Sequence, residues 1–182
     1  MKILRNLSIV FVLMLVSSCF NESLWKSIFP DDKLTLQQKQ YEGDKLRIDG
    51  FYCYEPKDEC GYTKLFVFYR NGVVMGSDGT IYSNVDGAYN DLIDNIDQGY
   101  YGDLIDYWGL FEIEDSIIRL EYYLPRMYGH HTYLMQGTIL NDTTFHMTKG
   151  KHSDKSNYET IDYLYSFHKT DAKPDSTNNF FH

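Results

Sequence analysis

Few residues of this chain stand at spacings that could do chemistry. Asp91, Asp94 and Asp97 recur every third residue, on a segment where Tyr89, Leu92, Ile93 and Ile96 keep helical spacing. Such a cluster could hold a cation, but calcium takes about six to eight oxygens from a loop bent around it. No window here has that spacing, so a solvated acidic helix face is the expectation. His130 and His131 are adjacent; on a strand, neighbouring side chains point to opposite faces and would not ligate one metal. His146, His152 and His168 are scattered, and no His-Glu-x-x-His spacing occurs. There is no Gly-x-Ser-x-Gly elbow and no phosphate-cradling glycine loop. A carboxylate pair for glycoside hydrolysis cannot be picked out of 26 acidic residues. No catalytic residue is assigned, and neither a metal nor a cofactor is expected. The remaining chemistry is aromatic. Of the 17 tyrosines, Tyr100, Tyr101 and Tyr107 cluster with Trp108, and these four are the candidate ligand contacts. They could stack on sugar rings or line an apolar cavity. The competing account is strand propensity and core filling.

The elements that would position these residues begin behind a leader-like start. Lys2 and Arg5 precede an apolar run, Leu7 to Val16, that only Ser8 interrupts, followed by Ser17, Ser18 and Cys19. A transmembrane helix needs about 20 apolar residues, so this run is too short to span. A basic start, an apolar stretch and small residues are the marks of a cleaved secretory signal. The run Val16-Ser17-Ser18-Cys19 resembles the lipobox of bacterial lipoproteins. That resemblance implies cleavage before Cys19 and acylation of Cys19, palmitate-type chains included, so that the lipid makes the membrane contact. Several acyl chains hold a protein stably where one does not. Phe20 is not the aspartate that retains lipoproteins in the inner membrane of enteric bacteria, which favours the outer membrane.

Removal of residues 1–18 takes away two basic and no acidic side chains, leaving 15 basic against 26 acidic and a net charge of −11. So acidic a chain is a poor partner for nucleic acid or for anionic headgroups. With Cys19 assigned to lipid, Cys53 and Cys60 remain as an even pair in an oxidising compartment. A disulfide is expected between them, worth roughly 2–3 kcal/mol by the chain-entropy argument. A zinc or redox pair is the alternative, and with no histidine nearby it makes a poor zinc site.

The chain divides into a signal peptide at 1–18, a lipid-anchored tether at 19–45, a β-domain at 46–170 and an irregular, exposed tail at 171–182. Within the tether one helical turn is expected around Thr35 to Tyr41. From Leu46 onward, short Tyr-, Phe-, Ile- and Val-rich runs alternate with Gly, Asn and Asp. They predict about eight strands: Leu46 to Tyr54, Lys64 to Arg70, Val73 to Ser77, Tyr107 to Glu114, Ile117 to Leu124, Thr132 to Leu140, Thr144 to Thr148 and Ile161 to Lys169. Asn71-Gly72 predicts a type I′ hairpin turn, His130-His131 a turn, and the stretch between Asp86 and Tyr107 one short helix. Eight antiparallel strands in sequence order predict an all-β, closed up-and-down barrel. A two-sheet β-sandwich is the alternative.

The segments Asp49-Gly50-Phe51-Tyr52, Phe68-Tyr69-Arg70-Asn71-Gly72-Val73, Trp108-Gly109-Leu110-Phe111 and Lys173-Pro174-Asp175-Ser176-Thr177-Asn178 are similar to those of small lipocalin-like lipoproteins of Bacteroidetes, a group largely of unknown function. Phe51 and Tyr52 stand where lipocalins usually carry tryptophan. The likeness implies fold and location. Asp115-Ser116-Ile117, Asp142-Thr143-Thr144 and Asp175-Ser176-Thr177 also resemble the O-glycosylation signal of that phylum, making Ser116, Thr143 and Ser176 candidate sites. Equally, Asp-Ser and Asp-Thr simply favour turns. The functional expectation is a non-enzymatic envelope lipoprotein binding a small apolar or glycan ligand. A structural or assembly component working with an envelope protein partner is the first alternative, and an envelope hydrolase the last.

Overall fold

The computed structural model describes residues 30–54, 64–77, 85–97, 104–125, 129–171 and 173–181. Eight strands close into one antiparallel barrel in sequence order: β1 (Gly50–Tyr54), β2 (Lys64–Phe68), β3 (Val73–Gly76), β4 (Trp108–Glu114), β5 (Ile117–Pro125), β6 (His130–Asn141), β7 (Thr144–His152) and β8 (Glu159–Lys169). The helix α1 (Val85–Asp97) and a 3-10 turn (Ile105–Tyr107) lie between β3 and β4. Closure comes from β1 pairing with β8 from Gly50↔Lys169 to Tyr54↔Tyr165, so neither strand leaves an edge.

Strand alternation divides the core in two. Tyr52, Phe66, Phe68, Phe111, Phe145 and Tyr165 point inward and fill the barrel. Their rings form a continuous contact chain: Phe68–Phe111 at 4.9 Å, Tyr52–Phe145 at 5.0 Å, Phe145–Tyr165 at 4.8 Å and Phe66–Tyr165 at 5.3 Å between centroids. Their neighbours Phe51, Cys53, Leu65, Val67, Val73 and Trp108 point outward and form a second cluster beneath α1, where Ala88, Tyr89 and Leu92 pack. The outward face of β1–β4 is therefore core, which is why these strands read as continuous apolar runs.

The barrel has two unlike ends. One carries the β2–β3, β4–β5 and β6–β7 turns and is capped by the chain entering β1. Tyr41 and Leu46 sit inside this end, joined by the Leu46 N–H donating to the Tyr41 hydroxyl at 2.8 Å. Lys173 clasps the cap from the tail, donating to the carbonyls of Ile48 and Phe68, and burial pulls its ammonium down to about 8. The opposite end, reached by the β1–β2, β3–β4, β5–β6 and β7–β8 connections, is the mouth.

Five local features depart from the sequence expectations. Residues 34–41 form no helical turn: they run as an extended strap along the barrel, bent at Thr35 and Leu36. The first strand starts at Gly50 instead of Leu46, because residues 46–49 cross the capped end. His130 and His131 open β6 and are not a turn. The β2–β3 turn is closed by the Gly72 N–H donating to the Tyr69 carbonyl at 3.1 Å, and Gly72 alone has positive φ (81°). This is a three-residue loop ending in a left-handed glycine, not a type I′ turn. A side chain at Gly72 would also strike the Lys39 carbonyl of the strap. The tail carries no helix or strand in residues 173–181, yet it is docked: Asn178 is buried, and Phe180 and Phe181 pack on the outer cluster.

Candidate functional site

The strap is positioned by side chains far away in sequence. Glu121 on β5 is 1% exposed, and its Oε2 accepts the backbone N–H groups of Thr35 (2.6 Å) and Leu36 (2.9 Å) and the Thr35 hydroxyl (2.9 Å). The Thr132 hydroxyl donates to its Oε1 at 3.0 Å. Nearer the mouth, Asp31 meets His130 Nδ1 and Asp32 meets His131 Nδ1, each at 2.8 Å. His130 Nε2 lies 2.5 Å from Asp106 Oδ1, within ion-pair distance but without hydrogen-bond alignment. Burial raises the Asp106 carboxyl above its ordinary range, and His130 offsets part of that. Exposed pairs of this kind are worth at most about 1 kcal/mol, whereas each bond to a buried charge is worth about 1.5–3 kcal/mol. Glu121 is therefore the main latch.

Asp32, His131 and Ser153 form a carboxylate–imidazole–hydroxyl trio, but not a relay. Ser153 Oγ donates to Asp32 Oδ2 at 2.5 Å and lies 3.4 Å from His131 Nδ1, the same ring nitrogen that Asp32 contacts. A nucleophile–base relay places carboxylate and hydroxyl on opposite ring nitrogens. The remaining histidines stay apart: His146 pairs with Asp162 at 2.6 Å, His152 packs on Tyr133, and His168 stacks on Phe51. Among the described residues no three His, Cys, Asp or Glu side chains are placed to hold a metal. Asp91 and Asp94 lie exposed on α1, the solvated face expected of them, and Asp97 ends that helix.

The aromatic candidates divide differently from the expectation. Trp108 is 2% exposed in the outer cluster and Tyr107 packs against that cluster, so both are barrel–helix packing. Tyr100 and Tyr101 lie outside the described residues. Instead, the mouth gathers tyrosines from four strands. Tyr54 and Tyr163 face each other at 4.8 Å between centroids, and Tyr122 and Tyr133 meet edge-on at 5.9 Å. Lys64 Nζ donates to the Tyr122 hydroxyl at 2.7 Å and lies 3.9 Å from its ring centroid. The Tyr133 hydroxyl donates to Glu159 Oε1 at 2.9 Å. Burial raises the Tyr122 and Tyr133 hydroxyls far above the usual phenol range, with Glu159 adding to the shift at Tyr133. Both stay neutral, Tyr122 accepting from Lys64 and Tyr133 donating to Glu159. Below them Phe66 and Tyr165 close the floor. The result is a packed tyrosine cluster at the mouth end, with Tyr122 and Tyr133 each 7% exposed, an ammonium on one side and a carboxylate on the other. Its sequence signal was a tyrosine or lysine at the mouth end of β1, β2, β5, β6 and β8, visible only once register is known.

Cys53 is buried on β1 at 1% exposure, and Cys60 and Cys19 lie outside the described residues. The three Asp-Ser/Thr segments converge on the capped end. Ser116 is exposed at the β4–β5 turn, and Thr143 donates to Asn141 Oδ1 at 2.7 Å in the β6–β7 turn. Ser176 accepts from Asn71 Nδ2 at 3.2 Å. None of the described helices is long and apolar enough to cross a membrane. No family model, curated protein or solved structure matches this chain.

Proposed function

We propose that this chain is a membrane-anchored envelope lipoprotein whose barrel is a non-enzymatic binding module. Its ligand is a small sugar-like ring held against the tyrosine cluster of the mouth end. The observation that supports this reading is the tyrosine cluster at the mouth end: Tyr54, Tyr122, Tyr133 and Tyr163, with Lys64 and Glu159 as donor and acceptor. Tyrosine faces suit the apolar faces of sugar rings, and the flanking polar groups suit their hydroxyls. The rings that fill the barrel interior favour a glycan-like ligand at its surface over an apolar one swallowed whole. The lipobox-like run supplies the anchor, and the acidic balance disfavours nucleic acid.

Two substitutions test the two halves. Cys19→Ala should move the protein from the membrane fraction to the soluble fraction with its fold intact; continued membrane retention contradicts the anchor. Tyr163→Ala should lower affinity for a neutral oligosaccharide by about tenfold, as loss of one stacking face worth roughly 1–1.5 kcal/mol requires. Unchanged affinity contradicts the proposed site.

A further inference from the structure

A histidine set between two carboxylates joins three separate parts of the mouth rim. His130, the first residue of β6, has its Nδ1 2.8 Å from Asp31, at the entry to the strap, and its Nε2 2.5 Å from Asp106 of the 3-10 turn before β4. The Asp106 Oδ1 atom is buried and has no hydrogen-bond partner. A neutral imidazole carries one N–H. If Nδ1 keeps it for Asp31, the Nε2 lone pair faces a buried carboxylate oxygen; if Nε2 keeps it, the Asp31 contact is the one that fails. One further proton, on the ring or on Asp106, satisfies both contacts together. Burial raises the Asp106 carboxyl above its ordinary range, which works in the same direction.

The other groups packed around the ring leave that requirement in place. Tyr123 of β5 meets the His130 ring edge-on at 6.2 Å, and its hydroxyl is kept neutral by burial and by the charges of Asp31, Glu121 and Asp32. His131 projects to the other face of the strand, toward Asp32 and Ser153, and lines a separate cleft with Lys33, Lys151, His152 and Asp154. The Asp32 N–H donates to the His130 carbonyl at 3.0 Å, a bond beside the ring that does not itself titrate. The closed contact thus holds one proton more than the open one, whose histidine titrates near its ordinary value of about 6.5. Docking gained from that proton is whole below about pH 6.5 and is lost as the pH rises above it.

We propose that Asp31, His130 and Asp106 form a proton-operated clasp, which fastens the entry of the strap to the mouth rim in mild acid and slackens it in alkali. The clasp stands apart from both the binding and the anchor readings. Amide hydrogen exchange of the full chain, followed by NMR, tests it. Rates are read as protection factors, so that the intrinsic pH dependence of exchange is divided out. The Asp32 N–H reports the clasp, and the Thr35 N–H, bound to Glu121, is the internal standard. Protection at Asp32 relative to Thr35 should fall about two- to fivefold between about pH 6 and 8.5, the scale of a partly exposed ion pair. In Asp106→Asn the new amide can donate to Nε2, a neutral ring satisfies both sides, and the fall should disappear. Asp31→Asn does the same at Nδ1 and serves if the first variant does not fold. An equal fall in wild type and variant would assign it to the His131–Asp32 pair, and a flat wild-type profile would make docking independent of protons. Either result overturns the clasp.

Discussion

At the scale of single residues, Glu121 shows how one side chain sets the path of a distant segment. A carboxylate with four donors around it, two of them consecutive backbone N–H groups, holds the strap where local sequence would not. Glutamine keeps the size but turns an amide N–H₂ toward donors. Glu121→Gln should therefore destabilise the domain by about 2–3 kcal/mol, since bonds to a buried charge are lost and donors are left unpaired. Urea unfolding measures it; a change under about 0.5 kcal/mol would assign the strap to its other contacts. The strap was also the least legible part of the sequence. Thr35 to Tyr41 is locally polar and helix-compatible, and nothing within it announces a carboxylate 85 residues away. The mouth tyrosines were hidden for a related reason: each is an ordinary strand residue until the barrel brings it beside the others.

At the scale of elements, alternation made the strands legible. Ile118, Leu120 and Tyr122 point inward while Arg119 and Glu121 point outward, as their period-2 spacing requires. Boundaries were less legible, because Leu46 to Asp49 share the composition of a strand yet cross the capped end. Shape between neighbouring strands is equally specific. Gly150 on β7 lies against the Tyr133 hydroxyl of β6, where any Cβ would overlap it. Gly150→Ala should cost about 1–3 kcal/mol by overpacking. Adding Tyr133→Phe should restore part of that loss, because the hydroxyl is the nearest obstacle. A thermal-unfolding double-mutant cycle reads the coupling, and strictly additive effects would place the clash elsewhere.

At the scale of the whole molecule, closure was predictable from eight strands in order, while the content of the barrel was not. Seventeen tyrosines could have lined a cavity or filled a core, and most of the described ones pack in or against the two core clusters. Their burial has a pH consequence. Desolvation raises the folded-state pKa of Tyr52, Tyr69, Tyr122 and Tyr165 well above the unfolded value of 10. Below about pH 10 both states keep these protons and the stability is whole. Above it the unfolded chain releases them first, so stability falls by up to about 1.4 kcal/mol per pH unit for each buried tyrosine. Tyrosinate absorbance from this group should thus appear together with unfolding; titration of all tyrosines in a chain that keeps its near-UV circular dichroism would contradict the packed interior.

The most direct test of the proposed binding function is native mass spectrometry of the protein extracted from its host, wild type beside Tyr163→Ala. A discrete sugar-containing mass should be retained by the wild type and reduced or absent in the variant. No retained mass on the wild type, or the same mass retained equally by both, would contradict it.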